Sequence, residues 1–349
     1  MLLRYALVSQ LVIVAADWYG RPAASSVPLP GLTQLVRFGL AQPLQRGWRA
    51  WLALSMRRAD IAVAAPGAVA AAALAEDASA PEGVAWLTSA LHLTASLTTV
   101  HLDHAGLLRL DARTQRELSS SFDAHFGERG YRLEPIRSGG FLTWGPAPPA
   151  HIETIDPARC LGSSVAGALP HGPGAATLRR LTGEIEMWLH EHAVNRARAL
   201  ERVPPISALW PWGGGPPLRP DVASESVRDI SRAGVAVFSD DPFVEGLCRA
   251  NGVRCAPAPQ TLAPVLSVAA SRRVVTLEIF RALATGEAAT PGDALVLLDR
   301  QWIQPALDAL RAGELSRVCI LANDRCVSLR TRDRLKFWRG ARFALEQLG

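Results

Sequence analysis

The residues best equipped for chemistry fall in one stretch, Leu189-His190-Glu191-His192-Ala193-Val194-Asn195-Arg196-Ala197-Arg198, followed by Trp210-Pro211-Trp212-Gly213-Gly214-Gly215. A helix end that carries two guanidiniums, an amide and an imidazole beside a glycine-rich strand exit has the groups to hold a phosphate or carboxylate. Arginine forks match the anion's oxygens, and glycine lets the backbone come close. The same residues also read as a helix C-terminus whose cations complement the helix dipole. Both readings stay open at this level. A zinc-protease reading fails, because H-E-x-x-H needs histidine at 194 and Val194 is there. His190 and His192 would also sit about 200° apart around a helix and could not chelate one ion there. His101 and His104, three apart in strand-like sequence, fall on opposite faces. No G-x-S-x-G elbow and no P-loop is written in the chain, which leaves Ser138-Gly139-Gly140 and Ser163-Ser164 as loop residues.

These residues need a frame, and the hydrophobic pattern supplies one. The apolar run Leu11 to Ala16 reads as a buried first strand of a parallel sheet, apolar on both faces, though with Arg4 before it the run also imitates a short signal peptide. A helix is expected from about Leu32 to Met56, with Trp48 and Trp51 in the core. Residues 62–80, nearly all alanine around Pro66-Gly67, fit either a helix or a low-complexity connection. From Trp86 the texture alternates, then a helical run covers Ala112 to Phe126 and an aromatic, glycine-rich stretch ends at Trp144; this is a small α+β unit. The Pro, Gly and Ser of Pro146 to Gly174 predict a long loop returning to the main body. A helix over Ala176–Leu200 follows, with Leu178, Leu181, Ile185, Trp188, Leu189 and His192 on one face, and then a strand from Ile206 to Trp212. The last third predicts strands at Gly234–Phe238, near Val253, at Ala294–Leu298 and at Val318–Leu321, with helices at Pro242–Ala250 and Trp302–Arg311. Such alternation argues for an α/β fold. The expected organisation is therefore a core begun by residues 1–85, an inserted unit with its linker at 86–174, and a core completed by 175–349.

Composition narrows the classes. At 349 residues and 49% apolar content the chain can bury a large core and a second, smaller one. No run of eighteen residues is free of polar interruption, so no membrane association is expected. The net charge of +5 is almost all arginine, Lys336 being the only lysine. The arginines are scattered, apart from short clusters such as Arg330 to Arg342, so nucleic acid is not the expected partner. The five cysteines, Cys160, Cys248, Cys255, Cys319 and Cys326, form no C-x-x-C pair and predict buried, reduced thiols in a cytoplasmic protein.

The stretch from His192 to Arg198 with Trp210 to Gly215 resembles an element of the archaeal-type cofactor-independent phosphoglycerate mutases, a helix ending H-P-V-N-x-x-R before a strand ending W-x-W-G-x-G, with Ala193 in the proline position. Val100-His101-Leu102-Asp103 through Tyr131-Arg132 is similar to their inserted domain, Pro148-Pro149-Ala150-His151 to their P-P-H-D turn, and Ala236 to Gly252 to their next strand and helix. Glu184-Ile185-Glu186-Met187-Trp188-Leu189-His190 resembles more closely the bacterial regulatory proteins of the RpfE type. The resemblance implies an α/β fold with an alkaline-phosphatase-like core, a mainly parallel sheet flanked by helices, and a smaller inserted α+β domain.

That superfamily works with two metal ions on Asp and His and a serine nucleophile. Here the early motif reads Ala16-Asp17-Trp18-Tyr19-Gly20-Arg21-Pro22, with one Asp, displaced by a residue. The turn matching the nucleophile is Pro66-Gly67-Ala68-Val69, with alanine for serine. All eight histidines lie at or before His192, Asp324-Arg325 stands for an Asp-His pair, and Thr331-Arg332-Asp333 stands near the last histidine. The resemblance thus implies a non-catalytic regulatory or metabolite-binding protein with no metal ligands, no catalytic residues and no cofactor. Its ligand residues would be Asn195, Arg196, Arg198, Trp212, Gly213 and Arg325, and its partner a small phosphorylated or carboxylated metabolite or another protein. The alternatives are an active metal-dependent mutase or phosphatase, and a nucleic-acid-binding regulator.

Overall fold

Buried on both faces, the run that opens the chain becomes the middle of a sheet. The computed structural model describes residues 9–19, 27–74, 83–218 and 234–335. Gly20-Arg21-Pro22, the end of the alanine run, Lys336 and Arg342 lie outside the described residues. The chain divides into two compact units, Met1–Ala62 with Asp221–Asp240 and Cys248–Gly349, and Val63–Pro220 with Asp241–Leu247. Strands β1 (Gln10–Ala15) and β2 (Leu40–Pro43) belong to the first. The second holds β3 (Val84–Ala95), β4 (Val100–Leu108), β5 (Arg132–Pro135), β6 (Phe141–Gly145), β7 (Ser163–Ser164) and β8 (Ala208–Gly215). The chain returns to the first unit with β9 (Val235–Phe238), β10 (Cys255–Ala256), β11 (Arg272–Leu277), β12 (Arg317–Ala322) and β13 (Arg325–Arg330).

The first unit is a seven-stranded sheet in the order β10-β9-β11-β1-β12-β13-β2. The first five are parallel and the last two antiparallel, giving a mixed α/β fold with a mainly parallel sheet and helices packed on it. Three expectations change here. The long helix from Leu32 is instead Pro30–Phe38, the edge strand β2 and a second helix, Gly47–Ser55, because Gly39 turns extended and Pro43 has no N–H with which to continue a helix. The strand expected at Ala294–Leu298 is a helix, Pro291–Leu298: Thr290 and Asp293 form a capping box around Pro291 and outweigh the short apolar run. A π-helical turn, Asp299–Ile303, joins it to the helix Gln304–Ala312. That turn aims the buried Asp299 carboxylate at the N–H groups of Gly31 and Leu32, capping the helix Pro30–Phe38. The strand expected near Val253 is the two-residue β10.

The second unit is antiparallel, in the order β5-β6-β3-β4-β7, with β8 also paired to β3. Asp111 accepts from the N–H groups of Arg113 and Thr114 and starts the helix Ala112–Phe126. Leu118, Phe122 and Phe126 pack with Leu178, Leu181, Ile185 and Leu189 of the helix Ala175–His190. Fully burying Phe122 contributes roughly 2–3 kcal/mol. The predicted helix over 176–200 is two, Ala175–His190 and Ala193–Leu200, and both lie with β8 in this unit. The expected loop 146–174 keeps little regular structure beyond 3-10 turns and β7. Cys160, Cys248, Cys319 and Cys326 are buried. No helix among the described residues is long and apolar enough to cross a membrane.

Candidate functional site

The carboxyl ends of parallel strands are where open α/β sheets take ligands, since the chain must leave the sheet there and exposes its loops. In the first unit that edge gathers the residues after β1, β11 and β12. Asp17 follows β1 and is 3% exposed. Its Oδ1 accepts from the Ile279 N–H at 2.7 Å and its Oδ2 from the Phe280 N–H at 2.8 Å, which ties it to the loop after β11. Burial, and after it the nearby Glu278, push its pKa up to about 7 against the opposite pull of the two N–H groups. Trp18 is buried beside it, and its indole N–H has no hydrogen-bond partner among the described residues. The Trp18 carbonyl accepts from the Asn323 N–H at 2.8 Å. Asn323 and Asp324, with φ of 47° and 54°, make the left-handed two-residue turn that joins β12 to β13. Arg325, exposed, is the first residue of β13.

Among the described residues the donor set at this edge does not match a two-ion phosphoryl-transfer centre. Both oxygens of Asp17 are engaged by backbone N–H groups, and all eight histidines fall in the second unit. Among the described residues no three His, Cys, Asp or Glu side chains are grouped to hold a metal ion. Ala68, which the resemblance sets at the nucleophile's position, is buried in the helix Pro66–Leu74 of the second unit and presents only a methyl group.

The motif that dominates the sequence does different work. His192 caps the helix Ala193–Leu200, its Nδ1 accepting from the Val194 N–H at 3.1 Å. Burial lowers the pKa of His192, Glu117 opposes this, and Arg196 adds to it. The Asn195 amide donates to the carbonyls of Leu189 at 2.8 Å and Ile206 at 2.9 Å, and its Oδ1 accepts from the Ile206 N–H at 2.8 Å. Arg196 donates to the Glu191 carbonyl, and Arg198 Nε donates to that of Pro204 at 2.7 Å. The Trp212 indole donates to Ser89 Oγ at 3.2 Å, and the Gly213 N–H to Thr154 Oγ1 at 2.9 Å. Gly213 has φ of 60°, and a Cβ there would meet the Pro66 ring at 3.0–3.1 Å, so glycine serves close packing at this point.

The six expected ligand residues do not share one unit. Arg325 is in the first unit and the other five in the second. From Ala208, just past the Asn195 bonds, to Gly213 the chain runs as strand for roughly 17 Å, longer than a small phosphorylated metabolite. Asp17 was singled out by sequence. Glu278 was not, because it becomes a neighbour only once β11 is placed beside β1.

The class this defines is a two-unit α/β protein with an exposed arginine and a buried carboxyl at its sheet edge. No family model and no curated protein matches the chain. Among solved structures it is similar to the PH0037 protein from Pyrococcus horikoshii, at 15% identity and a TM-score of 0.47 over 92% of this chain and 87% of that one. It is also similar to a cofactor-independent phosphoglycerate mutase from Thermoplasma acidophilum, at 19% identity and a TM-score of 0.39 over 92% and 88%.

Proposed function

We propose that this chain is a non-catalytic relative of the archaeal-type phosphoglycerate mutases, of the RpfE-type regulatory kind, and that it binds a small phosphorylated or carboxylated metabolite at the sheet edge beside Arg325. The observation that carries the reading is the state of Asp17, whose two oxygens hold the backbone of Ile279 and Phe280. A two-ion centre needs carboxylates and imidazoles facing the ions, because the ions stabilise the attacking and leaving oxygens of the transferring group. A guanidinium at the same edge offers fixed positive charge and a fork of donors, which binds an anion without generating a nucleophile. Asn195, Arg196 and Arg198 enter this reading as the frame of their own turn. A chain that holds such a metabolite without converting it reports its concentration, the regulatory role that the resemblance implies.

The test is a phosphoglycerate interconversion assay with and without added Mn²⁺, Mg²⁺ or Zn²⁺, run beside thermal melts with phosphoglycerates and inorganic phosphate. No turnover is expected, together with a ligand-induced rise in Tm that Arg325→Ala removes. Turnover abolished by a chelator overturns the reading; an undiminished rise in Arg325→Ala removes Arg325 from it.

A further inference from the structure

At the opposite edge of the first unit's sheet, where the parallel strands begin, three arginines scattered in sequence are brought into line. Gln10 opens β1 and is paired with Arg272, the first residue of β11, on one side and with Arg317, the first residue of β12, on the other. Arg317 in turn stands directly opposite Arg330, the last residue of β13. Residues paired in register share one face of a sheet, so Arg272, Gln10, Arg317 and Arg330 make a row across four neighbouring strands. With about 4.8 Å between strands the row is roughly 14 Å long, and Gln10 is its one neutral member.

Like charges set directly opposite on paired strands repel, and a guanidinium drawn partly out of water calls for a counter-charge. Among the described residues no carboxylate forms an ion pair with Arg272, Arg317 or Arg330. Asp333 accepts from the backbone N–H of Arg330 at 3.0 Å. Arg330 is exposed, while Arg272 and Arg317 are half-buried. Arg272 places one nitrogen, Nη1, on the Ser55 carbonyl at 2.9 Å. Arg317 donates to the Cys319 thiol, and its buried Nε–H has no partner among the described residues. Cys319 is two residues on from Arg317 and shares its face. The Cys326 thiol that donates to Cys319, and then the charges of Arg317 and Arg272, lower its pKa against the opposing effect of burial. Charges from two strands that are not adjacent thus act on one sulfur, as they would on an anion seated between them.

We propose that Arg272, Arg317 and Arg330, with the Gln10 carboxamide between the first two, form a second anion site, for a small oligophosphate with two or more linked phosphates. Guanidinium forks match phosphate oxygens, and three fixed positive charges in a line suit a chain of phosphates better than a single one. A ligand oxygen would also give the Arg317 Nε–H the acceptor it lacks. The site is independent of the metabolite reading, since Arg325 opens β13 and Arg330 closes it, roughly 17 Å away along the strand.

The full-length chain is titrated calorimetrically with pyrophosphate, tripolyphosphate and inorganic phosphate at fixed ionic strength. One pyrophosphate per chain is expected to bind, more tightly than phosphate, and Arg330→Gln, which alters an exposed side chain, should weaken it about tenfold. Arg317→Gln should weaken it at least as much, and melts without ligand separate lost binding from lost folding; should that variant not fold, Arg330→Gln decides alone. Arg325→Ala should leave pyrophosphate binding unchanged, and any phosphoglycerate-induced rise in Tm should survive Arg330→Gln, so the two sites fail separately. No binding by the parent, equal affinity for phosphate and pyrophosphate, an affinity unmoved by Arg330→Gln, or its loss in Arg325→Ala overturns the proposal. Tighter binding of a single-stranded oligonucleotide than of tripolyphosphate, sensitive to the same variants, would assign the row to nucleic acid and overturn it too.

Discussion

The sheet edge of the first unit and the helix–turn–strand element of the second differ in how completely their polar residues are engaged. In the second, a conspicuous run of His, Asn and Arg is engaged with the backbone around it: His192 caps a helix, Asn195 laces the turn to Ile206, and Arg196 and Arg198 hold carbonyls. In the first, Asp17 spends both oxygens on the Ile279 and Phe280 N–H groups, the Trp18 indole N–H has no partner among the described residues, and Arg325 stands exposed at the start of β13. Residues that look chemical in a sequence can be structural cement, because buried or half-buried backbone groups must find partners and Asn, His and Arg supply them.

Three measurements would break or sharpen that contrast. The largest effect is expected at Asp17. Its pKa rises from 3.8 to about 7 on folding, so the folded state holds the proton more tightly, and the contribution to stability is complete below about pH 4 and lost as pH climbs to about 7. That window is worth up to roughly 4 kcal/mol. Urea melts of the parent and Asp17→Asn at pH 4.5 and 7.5 should show the parent losing stability relative to the variant. Parallel pH profiles would mean that Asp17 is not the buried acid described.

A smaller loss is expected for Asn195→Ala, which leaves the Leu189 and Ile206 groups unpartnered and should cost about 2–3 kcal/mol by denaturant melts. Any anion-induced shift in Tm should survive it. If stability held and the shift vanished, the element would be a binding site and the contrast would collapse. The smallest effect belongs to His192. Its pKa is lowered on folding, so its contribution is present above about pH 6.5 and falls as pH drops through the lower folded value. His192→Ser keeps a capping oxygen and should remove that acid sensitivity. Equal slopes below pH 6.5 would show that the cap survives protonation.

Much of the frame was legible because it rests on local signals. The run Leu11 to Ala16 can only be stable between two other strands, and β1 lies between β11 and β12. Ala112–Phe126 follows from Asp111 and an apolar stripe. Ala294–Leu298 went wrong where a short apolar run is ambiguous, although Thr290-Pro291-Gly292-Asp293 already carried the helix-start signature. β11 and β13 escaped notice, and with them the neighbours of Asp17. Their role depends on pairing across more than two hundred residues, as between Val14 and Thr276, which no local period encodes. That Leu181 and Ile185 pack with Phe122 was hidden for the same reason, since only tertiary contact shows it.

The segregation of imidazoles gives the molecule a built-in reporter. Ring resonances of histidine in an NMR spectrum would arise from one lobe alone, so a titration followed through them sees that half of the chain without labelling it selectively. Any change in those signals on adding a metabolite would report on the second unit.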